Sequence, residues 1–478
     1  MSEYTRLEEC IETDPEHVFR RCTELLDENP DDAAALFLAA AVYSRAEKFG
    51  FAIALYRRIA ELKPDRSEPM NNLGTCYSGL GDIEQAQYWY LKAWGKKHSA
   101  INAANVGYTF MEQRKFPKAM EWVERALALD PNCLTAVSTR GFCRLAQGDW
   151  AQGWKDWGVT VGGKFRKKLQ FKEEPQWTGG KVGTLVVYGE QGIGDEILFA
   201  SCVEDAAREN NVVLECDSRL EGLFRRSFPF AHVYGTRRQK EIAWPNDHDI
   251  KAGIPIGQLP EFYRPSPASC PGAPYLHADP ERRLQWRALF DTLPGLKIGI
   301  AWSGGSRHNH PKARAAGLEA FRGMIEGSGH TFISLQYKDP TDEIKTSGLD
   351  VRHYKRACET MDYDDTAAMV AELDYVVSVP TAVAHLAGAL GVKTHCMVHH
   401  KADWAFQSGL PWYSSVDLFK KSESETWRAC VDRFAKDLHW CGSTPAVGVY
   451  GAAALDRPAL LAACGYHAAD SAATADQA

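Results

Sequence analysis

Two hydrophobic periodicities divide the chain. Over roughly residues 15–157, apolar positions recur three and four apart, as in AAAVYSRAEKFGFAIALYRRIAELKP and VGYTFMEQRKFPKAMEWVERALALDP. That spacing lines one face of a helix and predicts a succession of amphipathic helices. From Thr184 the pattern changes to short apolar runs alternating with helical stretches: LVVYG, ILFASCVEDAAREN, VVLECD, RLEGLFRRSF. After a proline-rich, poorly periodic segment (237–280) a second series follows: LKIGIAWSG, GLEAFRGMIEG, TFISLQYKD, DDTAAMVAELD, YVVSVPT, AVAHLAGALGV, KTHCMVHH. Such alternation predicts βαβ units and parallel sheets. Two doubly wound halves in tandem leave a cleft facing the carboxyl ends of both sets of strands. The basic segment VGGKFRKKLQFKEEPQWTGGKVG between the two patterns reads as a solvated linker. The tail beyond Trp440 is alanine-rich and reads as frayed, apart from a short helix over LDRPALLAACG.

The helical third repeats itself. Gly74, Gly107 and Gly141 stand about 34 residues apart, and Ala52, Ala86 and Ala119 keep the same step. Pro30, Pro64 and Pro131 close successive blocks, since proline lacks the amide hydrogen a helix needs. This pattern resembles the tetratricopeptide (TPR) repeat, with three units over residues 31–130, a fourth over 131–157, and HVFRRCTELLDEN as a capping helix or half of a degenerate repeat. One unit cannot bury its apolar face alone, so units stack into a solenoid. The resemblance implies a concave face holding an extended peptide or another protein. The residues alone leave a spacer or dimerisation module open. Asn71, Asn72, Asn102 and Asn105 fall near inner-helix starts, where they either bond a peptide backbone or cap helices.

Charge and composition narrow the partners. The formal net charge of -7 gives no basic surplus for nucleic acid. No run approaches the roughly 20 apolar residues that span a bilayer, and the charged N-terminus lacks the apolar core of a signal peptide. Thirteen cysteines without a Cys-x-x-Cys pair point to reduced thiols and a cytoplasmic protein.

Three stretches can carry chemistry. In GEQGIGDEILF, Gly192 and Gly194 let a ligand approach the backbone, and Asp195 sits where a helix opens. Neither the dinucleotide fingerprint nor a P-loop is present. Asp195 is then an N-cap carboxylate, or a general base at a cleft mouth. In YVVSVPTAVAHLAGALGV a strand breaks at Pro380, and the amides of Thr381, Ala382 and Val383 form an anion site, with His385 one turn in. The competing reading is a threonine cap over a small-residue helix. In IGIAWSGGSRHNHPKARAAGL a strand runs into a basic loop holding Ser303, Lys312 and Arg314, either a phosphate grip or an exposed loop. HCMVHH (His395, His399, His400) lacks partners at ligand spacing, so no metal site is expected. Trp404, Trp412 and Tyr413 read as packing residues, and ETWRACVDRFAKDLHW as an amphipathic closing helix.

GIGDEILFASCVEDA resembles the GT-B class of nucleotide-sugar-dependent glycosyltransferases, in particular the heptosyltransferase-like branch (glycosyltransferase family 9-like) fused to TPRs in bacteria. The resemblance implies an N-terminal TPR α-solenoid followed by a GT-B pair of Rossmann-like α/β domains. Boundaries follow: TPRs 1–157, linker 158–181, acceptor-side domain 182–290, nucleotide-sugar-side domain 291–440, tail 441–478. It implies Asp195 as the base activating an acceptor hydroxyl, with Glu196 a bystander or back-up. The donor's diphosphate falls on Thr381, Ala382 and His385 with Ser303, Lys312 or Arg314, and its base or ribose on Gln336 and Tyr337. It also implies inverting transfer, a closing helix that crosses back to the first half, a nucleotide sugar as co-substrate and no resident cofactor. A protein acceptor held by the TPRs, such as a flagellin-like surface protein, follows by family analogy. One departure counts against ADP-heptose as donor: heptosyltransferases carry Asp-Thr-Gly where this chain has Pro380-Thr381-Ala382. That departure keeps open a non-catalytic TPR scaffold with a nucleotide-binding or degenerate GT-B module.

Overall fold

The computed structural model describes the chain except residues 1, 164–165, 167, 305–314, 361, 401 and 438–478. It divides into two compact units, Met1–Leu145 with Lys155–Thr160, and Ala146–Trp154 with Val161–Ala478.

The first unit is built from helices α1 (Glu3–Cys10), α2 (Pro15–Glu28), α3 (Ala33–Arg45), α4 (Phe49–Leu62), α5 (Ser67–Gly79), α6 (Ile83–Lys96), α7 (Ala100–Glu112), α8 (Phe116–Leu129) and α9 (Leu134–Ala146), with the end of α10 (Trp150–Val159). Aspartates 14, 32 and 82 and Ser99 cap α2, α3, α6 and α7 through their side chains, which fixes where each helix begins. The small residues at the 34-residue step are where paired helices touch. A Cβ on Gly74 would lie 2.5 Å from the Tyr90 ring, and one on Gly107 3.3 Å from the Ala119 carbonyl. The turns inside successive pairs repeat as well. Glu47, Gly81, Arg114 and Gly148 all take positive φ (57°, 79°, 60° and 87°), a conformation that costs a side-chain-bearing residue. Asn105 donates to Asn71, 34 residues earlier, at 2.7 Å. This is a helical-repeat region resembling a TPR solenoid.

Among the described residues, the second unit carries two sheets whose strand pairings are all parallel. The first holds β1 (Thr184–Tyr188), β2 (Asn211–Glu215), β3 (His232–Tyr234) and β4 (Ile250–Pro255), in the order β3-β2-β1-β4. The second holds β5 (Lys297–Ala301), β6 (Thr331–Ser334), β7 (Val351–His353), β8 (Tyr375–Ser378), β9 (Thr394–His399) and β10 (Val416–Lys421), in the order β10-β9-β8-β5-β6-β7. Counted from β5, that is the 3-2-1-4-5-6 arrangement, whose direction reverses between β5 and β8. The first sheet reverses between β1 and β4. Ligands of open α/β sheets bind at such reversals, outside the carboxyl ends of the strands.

Four strands escaped the periodicity reading. β3 and β7 are three residues each, β10 carries Asp417, Lys420 and Lys421 among its six residues, and β4 lies inside the proline-rich stretch. The segment read as a solvated linker is anchored at Arg166, Glu174 and Trp177, while Lys168, Lys172, Glu173 and Lys181 stay exposed. Trp177 is 2% exposed, its amide bonds the Gly253 carbonyl in β4, and Arg166 is buried in an ion pair with Glu190 at 2.9 Å. The closing helix (Trp427–Asp437) does not cross back. Cys430, Val431 and Phe434 join Ile298, Phe332 and Val377 in the core of the second sheet. Trp412 stacks on Trp150 at 4.7 Å, with Trp404 and Trp154 edge-on to one another beside them.

Candidate functional site

Where β1 ends, the chain turns at Gly189, whose amide bonds the Glu215 carbonyl at 2.9 Å. A Cβ there would fall 2.7 Å from the Glu196 carboxyl carbon. The helix Ile193–Ala200 then opens with Gly192 as N-cap. Asp195 occupies the third helical position, not the N-cap itself, and its Oδ2 accepts from the Gly192 amide at 3.1 Å. Its side chain is half-buried at the positive end of the helix dipole.

Glu196 has a structural role behind the turn. It is fully buried, paired with Arg237, and accepts from the Asp217 amide at 2.9 Å. Burial pushes its carboxyl up to about 7, against the pull of Arg237. Neighbouring Glu215, 2% exposed, is pushed up to about 8 by burial and by the Glu196 charge, and its Oε2 has no hydrogen-bond partner. Asp217 is held below the usual carboxylate range despite burial, through bonds from Arg219. These groups lie behind the Asp195 turn and fix it to the first sheet.

Where β8 ends, Pro380 precedes the N-cap, which is Thr381, and the helix Ala382–Leu390 begins. Thr381 Oγ1 meets Ser378 Oγ at 3.0 Å and makes no side-chain cap bond. Its carbonyl takes the Ala384 amide at 3.1 Å. The orphan amides at a helix start are the usual anion-binding groups of this geometry.

The two helix starts meet. A Cβ on Gly194 would lie 3.2 Å from Ala382 Cα and 3.4 Å from His385 Cδ2. The chain leaving β5 arrives at the same place: a Cβ on Gly304 would lie 2.5 Å from Thr381 Cγ2. Gln336, beyond the end of β6, donates to Ser303 Oγ, while its own Oε1 is buried without a partner. Both ends of the loop after β5 are tied to Glu343, which accepts from Trp302 Nε1 at 2.8 Å and from the Leu318 amide at 3.0 Å. The structure therefore gathers Gly192, Gly194, Asp195, Ser303, Gln336, Thr381, Ala382 and His385 at the carboxyl ends of β1, β5, β6 and β8. Tyr337 stands apart, 57% exposed under Lys338. Lys312 and Arg314 lie outside the described residues.

Sequence reasoning missed Tyr275 and Tyr413 as site residues. Tyr275 sits in the proline-rich stretch, and Tyr413 beside Trp412 looked like packing. His385, 8% exposed, meets Tyr413 Oη through Nδ1 at 3.3 Å, and Asp195 contributes to holding the Tyr413 phenol well above its ordinary range, where burial dominates. Among the described residues, one grouping of metal-ligand type has its ligand atoms within 4.8 Å: Asp339, His353 and Glu359. Lys355 already contacts that aspartate at 3.2 Å.

In the first unit, a groove of about 600 Å³ is lined by Ile11, Glu12, Arg45, Tyr56, Asn72 and Thr75 among others. Asn102 does not offer itself to a peptide. It is 3% exposed and donates to the Ala93 and Lys97 carbonyls, closing the end of α6. Among the described residues, no helix is long and apolar enough to cross a membrane.

No family model matches the chain. Protein FlbA of Caulobacter vibrioides is 24% identical over 439 residues, covering 86% of this chain and 73% of FlbA. Among solved structures, MamA from Desulfovibrio magneticus RS-1 covers 33% of this chain and 93% of its own at 15% identity and a TM-score of 0.29. YrrB, described as a TPR protein with an unusual peptide-binding site, covers 29% and 73% at 20% identity and a TM-score of 0.26. The type IV pilus biogenesis factor PilW covers 32% and 74% at 20% identity and a TM-score of 0.29.

Proposed function

We propose that the second unit is a GT-B glycosyltransferase, moving a sugar from a nucleotide-diphosphate sugar to a hydroxyl of a protein recruited by the TPR-like array. One observation supports the reading: the helix start that carries the half-buried Asp195 packs through its neighbour Gly194 against Ala382 at the start of a second helix, both at sheet reversal points. A carboxylate and an anion site side by side suit a reaction in which one substrate loses a proton while the other leaves as a phosphate. Asp195 takes the proton of the acceptor hydroxyl. The amides after Thr381 stabilise the charge growing on the leaving diphosphate, with cations of the 305–314 loop as further contributors by family resemblance. Gln336, with a buried oxygen lacking a donor, suits a ribose hydroxyl or a base amino group. The TPR-like fold suggests a protein-interaction scaffold, and tethering an acceptor there raises its concentration at the site.

A thermal-shift screen of UDP, GDP, ADP and CMP tests the reading, because a ligand that binds only the folded state raises the melting temperature. Stabilisation by one nucleotide that Ala382→Pro weakens supports it, because proline is tolerated at the first helical position and removes one of the amides invoked. No stabilisation by any of the four favours the second reading, a scaffold with a degenerate module. Pro380, standing where the resembled enzymes carry aspartate, is the observation in favour of that alternative.

A further inference from the structure

Away from the crevice, at the opposite end of the helix that carries Asp195, the second unit holds a recess of about 390 Å³. Three stretches of chain wall it: 200–208, 227–230 and 264–277. Arg264 borders it with a side chain only 6% exposed. Its Nη2 donates to the Ser201 carbonyl at 2.7 Å and meets Asp205 Oδ2 at 2.8 Å. Its Nη1 donates to the Tyr263 carbonyl at 2.8 Å, while its Nε is buried with no acceptor. A buried donor without a partner is costly in a native fold, and a cavity bordering it is where the missing oxygen can sit.

The walls define what fits. Their carboxylates and guanidiniums balance: Arg208 bridges Glu204 and Asp205 at 3.4 and 3.1 Å, and Arg264 shares Asp205. An anion meets two carboxylates there and a cation two guanidiniums, so neither sign of charge is favoured. An apolar ligand strips water from these charges and from Ser201, Ser227 and Ser269 without replacing its hydrogen bonds. A neutral ligand with several hydroxyls answers both demands, because each O–H donates to a carboxylate or accepts from an N–H. Phe230, 46% exposed, has Phe228 beside it at 6.0 Å between ring centroids and offers a flat apolar face to the C–H side of a sugar ring. Walled by three stretches of chain, the recess suits a compact ring better than an extended peptide.

We propose that this recess binds a neutral sugar residue, with Arg264 and the Arg208, Asp205 and Glu204 group reading its hydroxyls and Phe230 packing on its ring. The proposal stands on the recess alone and does not depend on the transfer reaction proposed for the crevice.

The test is saturation-transfer NMR titration of the full chain, without nucleotide, with the methyl glycosides of glucose, galactose, mannose, rhamnose and N-acetylglucosamine. Glucuronate, glucosamine and the capped peptide acetyl-Ala-Ser-Ala-amide serve as charged and non-sugar comparisons. At least one neutral glycoside should bind saturably. Phe230→Ala should weaken that binding by about tenfold, and Ala273→Trp, which fills the recess from its wall, should abolish it. Both positions are exposed, so neither change disturbs the core. Asp195→Asn should bind the sugar as the wild type does, which separates the recess from the crevice. In protein labelled with ¹⁵N-arginine, the sugar should move one Nε–H signal, the one missing from Arg264→Lys. Binding of none of the glycosides, binding that survives both wall variants, or tighter binding of glucuronate, glucosamine or the peptide at the recess overturns the proposal. A failed nucleotide screen leaves these results untouched, so the two readings fail separately.

Discussion

Replacing Glu215 by glutamine should make the second unit more stable at pH 8 and leave it almost unchanged near pH 4.5. Glu215 ends β2 at 2% exposure, with one oxygen lacking a partner and the Glu196 charge nearby. Burial, reinforced by that charge, raises its carboxyl from 4.5 to about 8. Between those values the folded protein keeps a proton that the unfolded chain releases. Native protein then binds more protons than unfolded protein, so stability falls as pH rises, intact below 4.5 and lost through about 8. At ~1.4 kcal/mol per pH unit the loss is on the order of 4 kcal/mol. Glutamine is nearly the same size and cannot ionise, so the variant lacks this slope. At about 2–4 °C per kcal/mol for a domain of this scale, a gain of about 8–16 °C at pH 8 follows. Thermal unfolding of wild type and Glu215→Gln at pH 5 and pH 8 reads it directly. Equal declines in both proteins, or a variant less stable at pH 8, would refute the reasoning.

Other consequences are as direct. Gly194→Ala sets a Cβ 3.2 Å from the Ala382 Cα, a backbone atom that cannot swing aside. It should cost about 1–3 kcal/mol of overpacking and weaken nucleotide stabilisation, both read in one thermal-shift series. Trp412→Ala removes a fully buried indole stacked on Trp150 and should cost about 3–5 kcal/mol, seen as a lowered unfolding midpoint. Glu47→Gly relieves the positive φ that Gly81 and Gly148 adopt at equivalent turns. It should stabilise the helical repeats by about 1 kcal/mol, measured as protection of α3 and α4 amides from hydrogen exchange.

The helical repeat was legible because its packing is periodic: the same small residue recurs wherever paired helices must touch, and Gly74 under Tyr90 is a visible instance. The central strands were legible for a related reason, since β1, β5 and β8 are buried on both faces and read as unbroken apolar runs. Edge strands β3, β7 and β10 carry polar residues, and β4 hides among prolines that direct the chain around it. The glycine turn, Asp195 and Thr381 stood out locally. Their meeting did not, because a contact between residues nearly two hundred positions apart leaves no periodic trace. The structural role of Glu196 was hidden on the same ground: sequence shows an acidic pair, and only the fold shows that one member is buried against Arg237. The packing of Tyr275 and Tyr413 near His385 was hidden for want of any motif, each residue lying in a different segment.

The central claim is that Asp195 and the Thr381 helix start form one catalytic crevice. Release of nucleotide from a panel of nucleotide sugars, compared between wild type and Asp195→Asn, tests it most directly. The account predicts release from at least one donor by the wild type, a fall of about 10²–10⁴-fold in the variant, and undiminished stabilisation of the variant by the same nucleotide. Release by the variant at the wild-type rate, or no release from any donor by either protein, contradicts it.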